Sequence, residues 1–285
     1  MKRNWIGGAF GWLWLAVVLL PIYFVLITSL KSISTYFGSN PVLPSLPLAF
    51  ENVTAVLEAD FTQYLFNSVL VAVGTVIPLV LMAFMASYSL VRGTRRVFSP
   101  MRSLFLLGLA IPVQATIVPI YLMIISMRMY DSLAALMIPA IAFGLPLSIL
   151  IISNSLRDVP RELFEAMDVD GSTEWQKMWR LAFPIVRPAL VTVAVYQALM
   201  SWNGFLFPLI LTQSPDKRTL PLALWSFQGE YATNVPVVMA AVVLSSIPIV
   251  ILYAFGRRYL VSGMTAGSGK CPPTPLANCK ETSPS

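Results

Sequence analysis

A charged segment at residues 162–190 separates two long apolar runs of this sequence. Pro160 predicts the first turn of a helix, and Gly171 predicts its end, because glycine adopts a left-handed conformation at little cost. Thr173 and Gln176 then have the spacing of a capping box, in which side chain and backbone exchange hydrogen bonds at a helix start. The segment therefore predicts two short helices joined at a glycine corner.

The side chains of these two helices are typical of a docking surface. The first helix carries four carboxylates, Glu162, Glu165, Asp168 and Asp170. The second is expected to form one apolar face from Trp175, Met178, Trp179 and Ala182, with Lys177 on its polar side. Pro184 is expected to end this helix and Pro188 to begin the next apolar run. Such a segment could lie on lipid, but an anionic leaflet would repel its carboxylates, so a groove on a protein partner is favoured.

Two other patterns resemble chemical sites and fail on detail. Residues 267–270 read Gly-Ser-Gly-Lys, but Met264 stands where a phosphate-binding loop needs its first glycine, and Cys271 follows the lysine. Cys271 and Cys279 do not have a usual zinc spacing, and the chain has no histidine. We therefore expect free thiols, and neither a catalytic residue nor a metal or nucleotide site on this chain.

Apolar blocks dominate the rest of the sequence. Hydrophobic residues make up 57% of the 285 residues and charged residues 11%. Six blocks reach the roughly 20 apolar residues that a helix needs to cross a bilayer: 11–30, 65–91, 103–127, 132–156, 186–212 and 236–260. Each must be helical, because backbone groups in lipid have to be satisfied within the segment. We predict an all-α polytopic membrane protein with an N-terminus at 1–10, six transmembrane helices at 11–260, a loop at about 157–185 and a tail at 261–285.

The basic residues predict the orientation of these spans. Of the 19 Lys and Arg residues, all but Lys31, Arg128, Lys217 and Arg218 fall on one side. The basic side is expected to be cytoplasmic, which places the charged loop and both termini there. This topology accounts for the net charge of +6, so the charge is no reason to expect nucleic acid. A cleavable signal peptide is disfavoured because the run at 11–30 is too long.

The interiors of the six blocks contain no Asp, Glu, Lys or Arg. Proton- and ion-driven transporters usually carry such groups, so we expect the energy to enter elsewhere, although sodium bound by backbone carbonyls would evade this argument. Polar side chains do recur within or near the ends of the blocks, at Asn67, Gln114, Asn154, Gln197, Trp202 and Asn203. They could line a path for a hydroxyl-rich solute or form hydrogen bonds between helices.

The run from Glu165 to Ser172, E-A-M-D-V-D-G-S, resembles the E-A-A-x-x-x-G loop of permease subunits in ATP-binding-cassette importers. Met167 replaces the second alanine, and Ser172 replaces the alanine that usually follows the glycine. Residues 201–207, 219–222 and 258–267 are similar to the carbohydrate-uptake branch, specifically the maltose-transporter type G subunit. The likeness covers residues 1–270.

The resemblance implies that the charged loop is a coupling helix seated in a cytosolic ATPase subunit. The residues it places at that contact are Glu165, Ala166, Met167, Asp170, Gly171 and Trp175. It implies three kinds of protein partner: a second permease subunit, two ATPase subunits that hold ATP and magnesium, and an extracytoplasmic solute-binding protein facing loop 213–235. It also implies that the chain lies in the bilayer of a bacterial inner membrane. This chain is expected to hold no cofactor itself. Gly171→Asp or Glu165→Lys is expected to uncouple transport without preventing insertion.

The solute stays open at this point, since branch members carry disaccharides, oligosaccharides or glycerol-3-phosphate. Trp202 and Tyr196 could stack on a sugar, or could anchor the chain at the membrane interface. Two other functions are weighed against an ATP-driven permease. One is an ATP-independent secondary transporter or facilitator, and the other is a membrane scaffold without a solute path.

Overall fold

A computed structural model describes residues 5–93, 95–226 and 234–265, and within these ranges the regular structure is helical. The α-helices are α1 (Trp5–Ser29), α2 (Ile33–Gly38), α3 (Glu51–Glu58), α4 (Phe61–Arg92), α5 (Arg95–Leu107), α6 (Ile117–Ser126), α7 (Leu133–Arg157), α8 (Arg161–Val169), α9 (Glu174–Gln176), α10 (Phe183–Trp202), α11 (Leu206–Leu211), α12 (Leu220–Ser226) and α13 (Val235–Thr265). The predictions for Cys271, Cys279 and the Gly-Ser-Gly-Lys run lie outside the described residues. So do residues 1–4 of the predicted N-terminus and residues 227–233 of the loop at 213–235.

Five stretches in the described part of the chain are long and apolar enough to cross a membrane, or six if one bent pair counts as a span. This confirms an all-α, multi-pass membrane protein. Four of the predicted blocks correspond to α1, α4, α7 and α13. The other two blocks differ from the prediction in ways that shape the candidate site.

The third block is not a continuous helix. It consists of two arms, Ser103–Ala110 and Val113–Ser126, which are bent by 93°. Pro112 explains the break, because it lacks a backbone N–H and pushes the preceding residue out of the helical region. Ile111 accordingly has extended backbone angles, φ −81° and ψ 115°. The predicted block at 103–127 is therefore either one broken span or a re-entrant loop, and not one straight helix.

The fifth block begins earlier and ends earlier than expected. One continuous helical stretch runs from Glu174 to Trp202, so Pro184 does not end a helix. Residues Lys177–Ala182 form a π-helical turn, and the Phe183 N–H donates to the Met178 carbonyl five residues back. This wider turn ends two residues before Pro184, and the helical stretch continues through the proline. The helix ends at Trp202 instead of residue 212, and α11 follows as a separate element.

The centre of the fold is a packed group of three long helices, α4, α7 and α10, with α13 against α10 and α1 against α13. Gly144 allows their close approach: an added Cβ would lie 2.4 Å from Leu79 Cδ1 on α4 and 2.9 Å from Gln197 Oε1 on α10. Small residues commonly serve this purpose between membrane helices. The core continues from Leu79 and Ile152 to Phe164 and Met178. Residues 158–182, hereafter the connecting segment, are therefore packed on the helical core.

Candidate functional site

The corner of the connecting segment is built by backbone hydrogen bonds around Gly171. The Gly171 N–H donates to the Asp168 carbonyl at 3.0 Å, and the Ser172 N–H donates to the Met167 carbonyl at 2.9 Å. Gly171 itself has φ +72°. These are the two bonds and the left-handed residue of a Schellman motif, which satisfies the last carbonyls of a helix. The predicted glycine corner is confirmed.

The second half of the segment starts with the predicted capping box. The Gln176 N–H donates to Thr173 Oγ1 at 3.3 Å, and the Thr173 N–H donates to Gln176 Oε1 at 2.9 Å. One residue thus separates the end of one capped helix, at Gly171, from the cap of the next. Backbone hydrogen bonds therefore close the corner on both sides.

A chain of charged contacts joins the two halves to α4. Lys177 Nζ forms ion pairs with Asp168 and, at 2.7 Å, with Glu174. The Tyr88 hydroxyl on α4 donates to the other Glu174 oxygen at 2.8 Å. Lys177 is 3% exposed, so its expected place on the polar face was wrong. Its long stem is buried because the ammonium group finds two carboxylates there.

Phe164 anchors α8 to the membrane helices. It is 2% exposed and lies 6.4 Å from the Tyr88 ring, measured between ring centroids. The Arg92 guanidinium lies over the Phe164 ring, 4.2 Å from its centroid, in cation–π geometry. The sequence did not single out Phe164, since periodicity alone cannot say which face of a helix packs inward.

Most of the predicted docking residues lie on the surface. Glu165, Ala166, Asp170, Gly171 and Trp175 are exposed and Met167 is half-buried. The expected apolar face is divided: Met178 and Ala182 are buried, whereas Trp175 is 60% exposed. Val169, which the sequence did not single out, is 89% exposed beside the glycine corner. The connecting segment thus presents carboxylates and two apolar side chains on its surface, while Phe164 and Lys177 pack it against the bundle.

A second feature is a cavity of about 430 Å³ between α4, α7, α10 and the broken third block. Gln114 and Gln197 line it, together with aromatic side chains from Phe143, Tyr196, Phe205 and Phe207. The break at Pro112 forms part of the wall, because it places Leu109 and Gln114 on different arms facing the same space. Gln197 is held in place by hydrogen bonds of 3.0 Å to the Gly144 carbonyl and to Ser148 Oγ.

The other four predicted pathway residues do not line this cavity. Asn67 donates to the carbonyls of Asp216 and Arg218, both at 2.8 Å, and so clamps the loop after α11. Trp202 is buried beside Tyr64 and Leu220. Asn203 bonds back to the Leu199 carbonyl at 2.8 Å, and Asn154 is exposed on α7.

Three hydroxyl groups that the sequence reasoning missed belong to the cavity wall. Thr75 Oγ1, Ser201 Oγ and Thr219 Oγ1 are buried and have no hydrogen-bond partner within the described part of the chain. A buried polar atom left unsatisfied costs about 1–3 kcal/mol, so such atoms need a reason. Ser201 and Thr219 begin two of the runs that carry the family resemblance. That resemblance was the signal in the sequence that could have identified them as candidate site residues.

The loop after α11 is fixed from two sides. The Asp131 carboxylate, in the turn before α7, accepts hydrogen bonds from the N–H groups of Gln213 and Ser214 and from the Ser214 hydroxyl. The Ser214 hydroxyl contributes most to holding the pKa of Asp131 below its usual range, followed by the Ser214 and Gln213 amides. Asn67 holds the same loop from α4. The loop is therefore an ordered surface at the end of the bundle opposite the connecting segment.

Comparison with known proteins adds a family. Residues 79–266 match the family described as binding-protein-dependent transport system inner membrane component. A putative ABC transporter permease protein from a Caldicellulosiruptor species is 36% identical over 258 residues, covering 90% of this chain and 94% of the relative. The diacetylchitobiose uptake system permease protein DasC from Streptomyces coelicolor is 32% identical over 282 residues, covering 95% and 100%.

Solved structures support the same fold. A bacterial ABC transporter for import of the acidic polysaccharide alginate contains a chain that matches with a TM-score of 0.65 at 14% identity, covering 92% of this chain and 96% of that one. The methionine ABC transporter MetNI, in inward-facing conformations, matches with a TM-score of 0.55 at 19% identity, covering 75% and 98%.

Proposed function

The chain belongs to the binding-protein-dependent transport system inner membrane component family, and we propose on this premise that it is a transmembrane permease subunit of an ATP-driven sugar importer. It forms half of the translocation pathway, and it receives work from a cytosolic ATPase by alternating access. The second half of the pathway comes from another permease subunit. Nucleotide acts on this chain only by favouring one of its conformations over the other.

One observation carries the proposal: the connecting segment has a hydrogen-bonded corner, is anchored in the core and is exposed around Gly171. The Schellman corner at Gly171 and the capping box at Thr173 fix its shape, while Phe164 and Lys177 fasten it to the bundle. A loop that only joined two spans would need none of these contacts. A segment that transmits motion from a partner, hereafter a lever, needs all of them. Displacement of its exposed corner at Gly171 must move α7 and α10 instead of bending the segment.

The exposed side chains favour an ATPase groove as the partner. Glu165 and Asp170 offer negative charge, and Val169 and Trp175 offer apolar area beside it. Helix-in-groove contacts use this combination. The ordered loop at 212–218 lies at the opposite end of the bundle, where an extracytoplasmic solute-binding protein would dock. In the orientation that we propose from the distribution of basic residues, the connecting segment and both termini face the cytoplasm of a bacterial cell.

The cavity favours a neutral, hydroxyl-rich solute. Its wall, within the described residues, contains no Asp, Glu, Lys or Arg. A phosphorylated solute would leave its charge unpaired there, at considerable cost. Gln114, Gln197 and the hydroxyls of Thr75, Ser201 and Thr219 can instead exchange hydrogen bonds with sugar hydroxyls. We therefore favour a neutral disaccharide or oligosaccharide over glycerol-3-phosphate, in keeping with a relative named for diacetylchitobiose uptake.

Uptake by the complete assembly tests the proposal. The importer is reconstituted into vesicles with its ATPase subunits and binding protein, and entry of a labelled neutral disaccharide panel is compared with entry of glycerol-3-phosphate. We expect uptake of at least one neutral sugar that requires both ATP and the binding protein. Uptake that persists with a hydrolysis-deficient ATPase would instead support a facilitator. A complex that binds the ATPase but moves no solute of either class would support a scaffold.

A further inference from the structure

The connection between α1 and α3, residues 32–50, exposes large apolar side chains and carries no charge. Its sequence contains no Asp, Glu, Lys or Arg. Phe37, Leu46 and Phe50 are 77%, 83% and 63% exposed. Exposed apolar surface of this kind marks a site that contacts either another protein or a membrane. These residues are hereafter the α1–α3 connection.

The charged residue before the α1–α3 connection is turned inward. Lys31 is 1% exposed, and its Nζ donates to the Asn40 carbonyl at 2.7 Å and to Ser39 Oγ at 3.4 Å. The ammonium group is thus used to hold the backbone of the connection and is not offered to a partner. The exposed surface stays uncharged, which is unlike the polar rim that surrounds most contacts between proteins.

Several backbone groups of the connection have partners within the chain. The Val42 carbonyl accepts from the Tyr23 hydroxyl at 3.0 Å, and the Val42 N–H donates to Asn40 Oδ1 at 2.9 Å. The Ala49 N–H donates to the Leu30 carbonyl at 2.8 Å. Three further positions have no N–H to satisfy: Pro41, Pro44 and Pro47. These features suit a region with little water, where unpaired backbone groups are costly.

The hydrogen bond of Tyr23 indicates the depth of the connection. Tyr23 lies about 9 Å before the end of α1 at Ser29, at 1.5 Å per residue. Helical side chains lean toward the N-terminus of their helix, so the Val42 carbonyl lies beside α1 and not beyond its end. Since α1 is long and apolar enough to span a membrane, the connection folds back along a membrane helix. Tyrosine is common at this level of a bilayer.

The position of α1 favours lipid over the second permease as the neighbour of this surface. α1 packs on α13, and α13 in turn packs on α10. The wall of the solute cavity, within the described ranges, contains no residue of α1 or α13. A second permease that completes the pathway must face that cavity. Under the proposed function, on which this step rests, α1 and the connection beside it therefore face the surrounding lipid.

We propose that the α1–α3 connection is embedded in the interfacial layer of the extracytoplasmic leaflet, with Phe37, Leu46 and Phe50 in contact with lipid. The leaflet follows from the orientation proposed above. The irregular backbone stays at the level of the headgroups, because the hydrocarbon core does not accept such structure facing lipid. Embedding requires no anionic lipid, since the exposed surface carries no cation. Glu51 restores charge at the start of α3, where the chain returns to water.

Fluorescence quenching in the complete importer tests this placement. The complex is assembled in phosphatidylcholine nanodiscs with partner subunits that lack accessible cysteines, and one introduced cysteine is labelled with bimane. Four labelled variants are compared, each in a chain that also carries Cys271→Ser and Cys279→Ser: Phe37→Cys, Leu46→Cys, Leu19→Cys as the lipid control on α1, and Glu58→Cys as the water control on α3. All four labelled positions are exposed, so labelling should not disturb packing.

We expect brominated phosphatidylcholine to quench the labels at 37 and 46 as it quenches the label at 19. Aqueous iodide should quench them several-fold less than it quenches the label at 58. Iodide quenching equal to that at 58 would place the connection in water and overturn the proposal. Shielding from iodide that appears only after the solute-binding protein is added would assign the surface to that protein.

Two further results would also contradict lipid contact. Shielding of both labels from iodide and from brominated lipid would place the second permease on this surface. Quenching by brominated lipid only when phosphatidylglycerol is present would mean that charge, and not apolar contact, holds the connection. The measurement uses neither ATP nor solute, so its failure would leave ATP-driven uptake, the test of the proposed function, unaffected.

Discussion

The Arg92 guanidinium lies 4.2 Å from the centre of the Phe164 ring, and this contact joins the end of α4 to the start of the docking surface. Phe164 is 2% exposed and faces inward, while Glu165, its neighbour in the chain, faces outward. Two adjacent residues of one short helix thus have different roles in the proposed function: Phe164 packs on the bundle, and Glu165 is available to a partner. Under the proposed function, displacement of the exposed side of α8 would reach α4 through the packed Phe164 side chain.

Replacing Phe164 with alanine tests the anchor. Truncating a buried Phe costs about 3–5 kcal/mol, and here the loss should be local to α8. Amide hydrogen exchange over residues 161–171 in the purified complex should accelerate strongly, and ATP-driven uptake should fall. Leu163→Ala is the matched control, since Leu163 is 42% exposed on the same helix. Unchanged exchange in Phe164→Ala would show that the segment does not depend on this contact.

The ion pairs of Lys177 should respond asymmetrically to substitution. Asp168→Asn with Glu174→Gln removes both carboxylates and leaves a buried ammonium uncompensated, which should open the segment. Lys177→Met removes the buried charge and leaves two carboxylates that are 51% and 63% exposed to water. The double variant should therefore show faster hydrogen exchange over 168–180 than Lys177→Met. The reverse order would mean that the carboxylates, and not the lysine, need the pairing.

The unpartnered hydroxyls separate a role in transport from a role in folding. Thr75→Val removes a buried hydroxyl in the cavity wall, and Thr28→Val removes one on α1 away from it. Neither hydroxyl has a partner among the described residues, so both variants should melt at or slightly above the wild-type temperature. Only Thr75→Val should slow uptake, because only that hydroxyl can reach the solute. Equal uptake by the two variants would remove Thr75 from the pathway.

Asp131 gives the loop at 212–218 a pH dependence whose sign follows from its hydrogen bonds. Its pKa is held below the usual range, so its contribution is complete above the ordinary aspartate value of about 3.9 and is lost as pH falls through the lowered value. Asp131→Asn should loosen the loop already at pH 7, seen as faster tryptic cleavage after Lys217 and Arg218. Asp216→Asn, which removes an exposed ion pair with Lys217, is the control. Equal cleavage of both variants would rule out the clamp.

Local chemistry in the sequence predicted the corner of the connecting segment. Gly171 and the Thr173-to-Gln176 spacing each act within a few residues, so no knowledge of the fold was required. Pro184 was misread because its cost depends on the turn before it, and the π-helical turn at Lys177–Ala182 is stabilised by packing of Met178 and Ala182 on other helices. The spacing of residues in the sequence cannot predict that packing.

The polar residues of the spans show the same limit on what local sequence can predict. Asn67 and Gln197 had equal standing in the sequence, since each is an amide in an apolar helix. In the structure, Asn67 bonds a loop from the far end of the chain and Gln197 lines the cavity. The difference arises from partners about 150 and 50 residues away in sequence. Only the tertiary arrangement distinguishes a clamp from a candidate pathway residue.

The most direct test of the lever is the backbone of Gly171. An added Cβ would meet nothing within 4 Å, so any effect of substitution comes from the left-handed conformation and not from a clash. Asparagine tolerates φ +72°, whereas valine pays about 1–2 kcal/mol or more and favours another corner. In vesicles containing the full importer at matched subunit levels, ATP-driven uptake should persist in Gly171→Asn and be lost in Gly171→Val. Uptake by Gly171→Val at the wild-type rate would contradict the claim that this corner transmits the work of the ATPase.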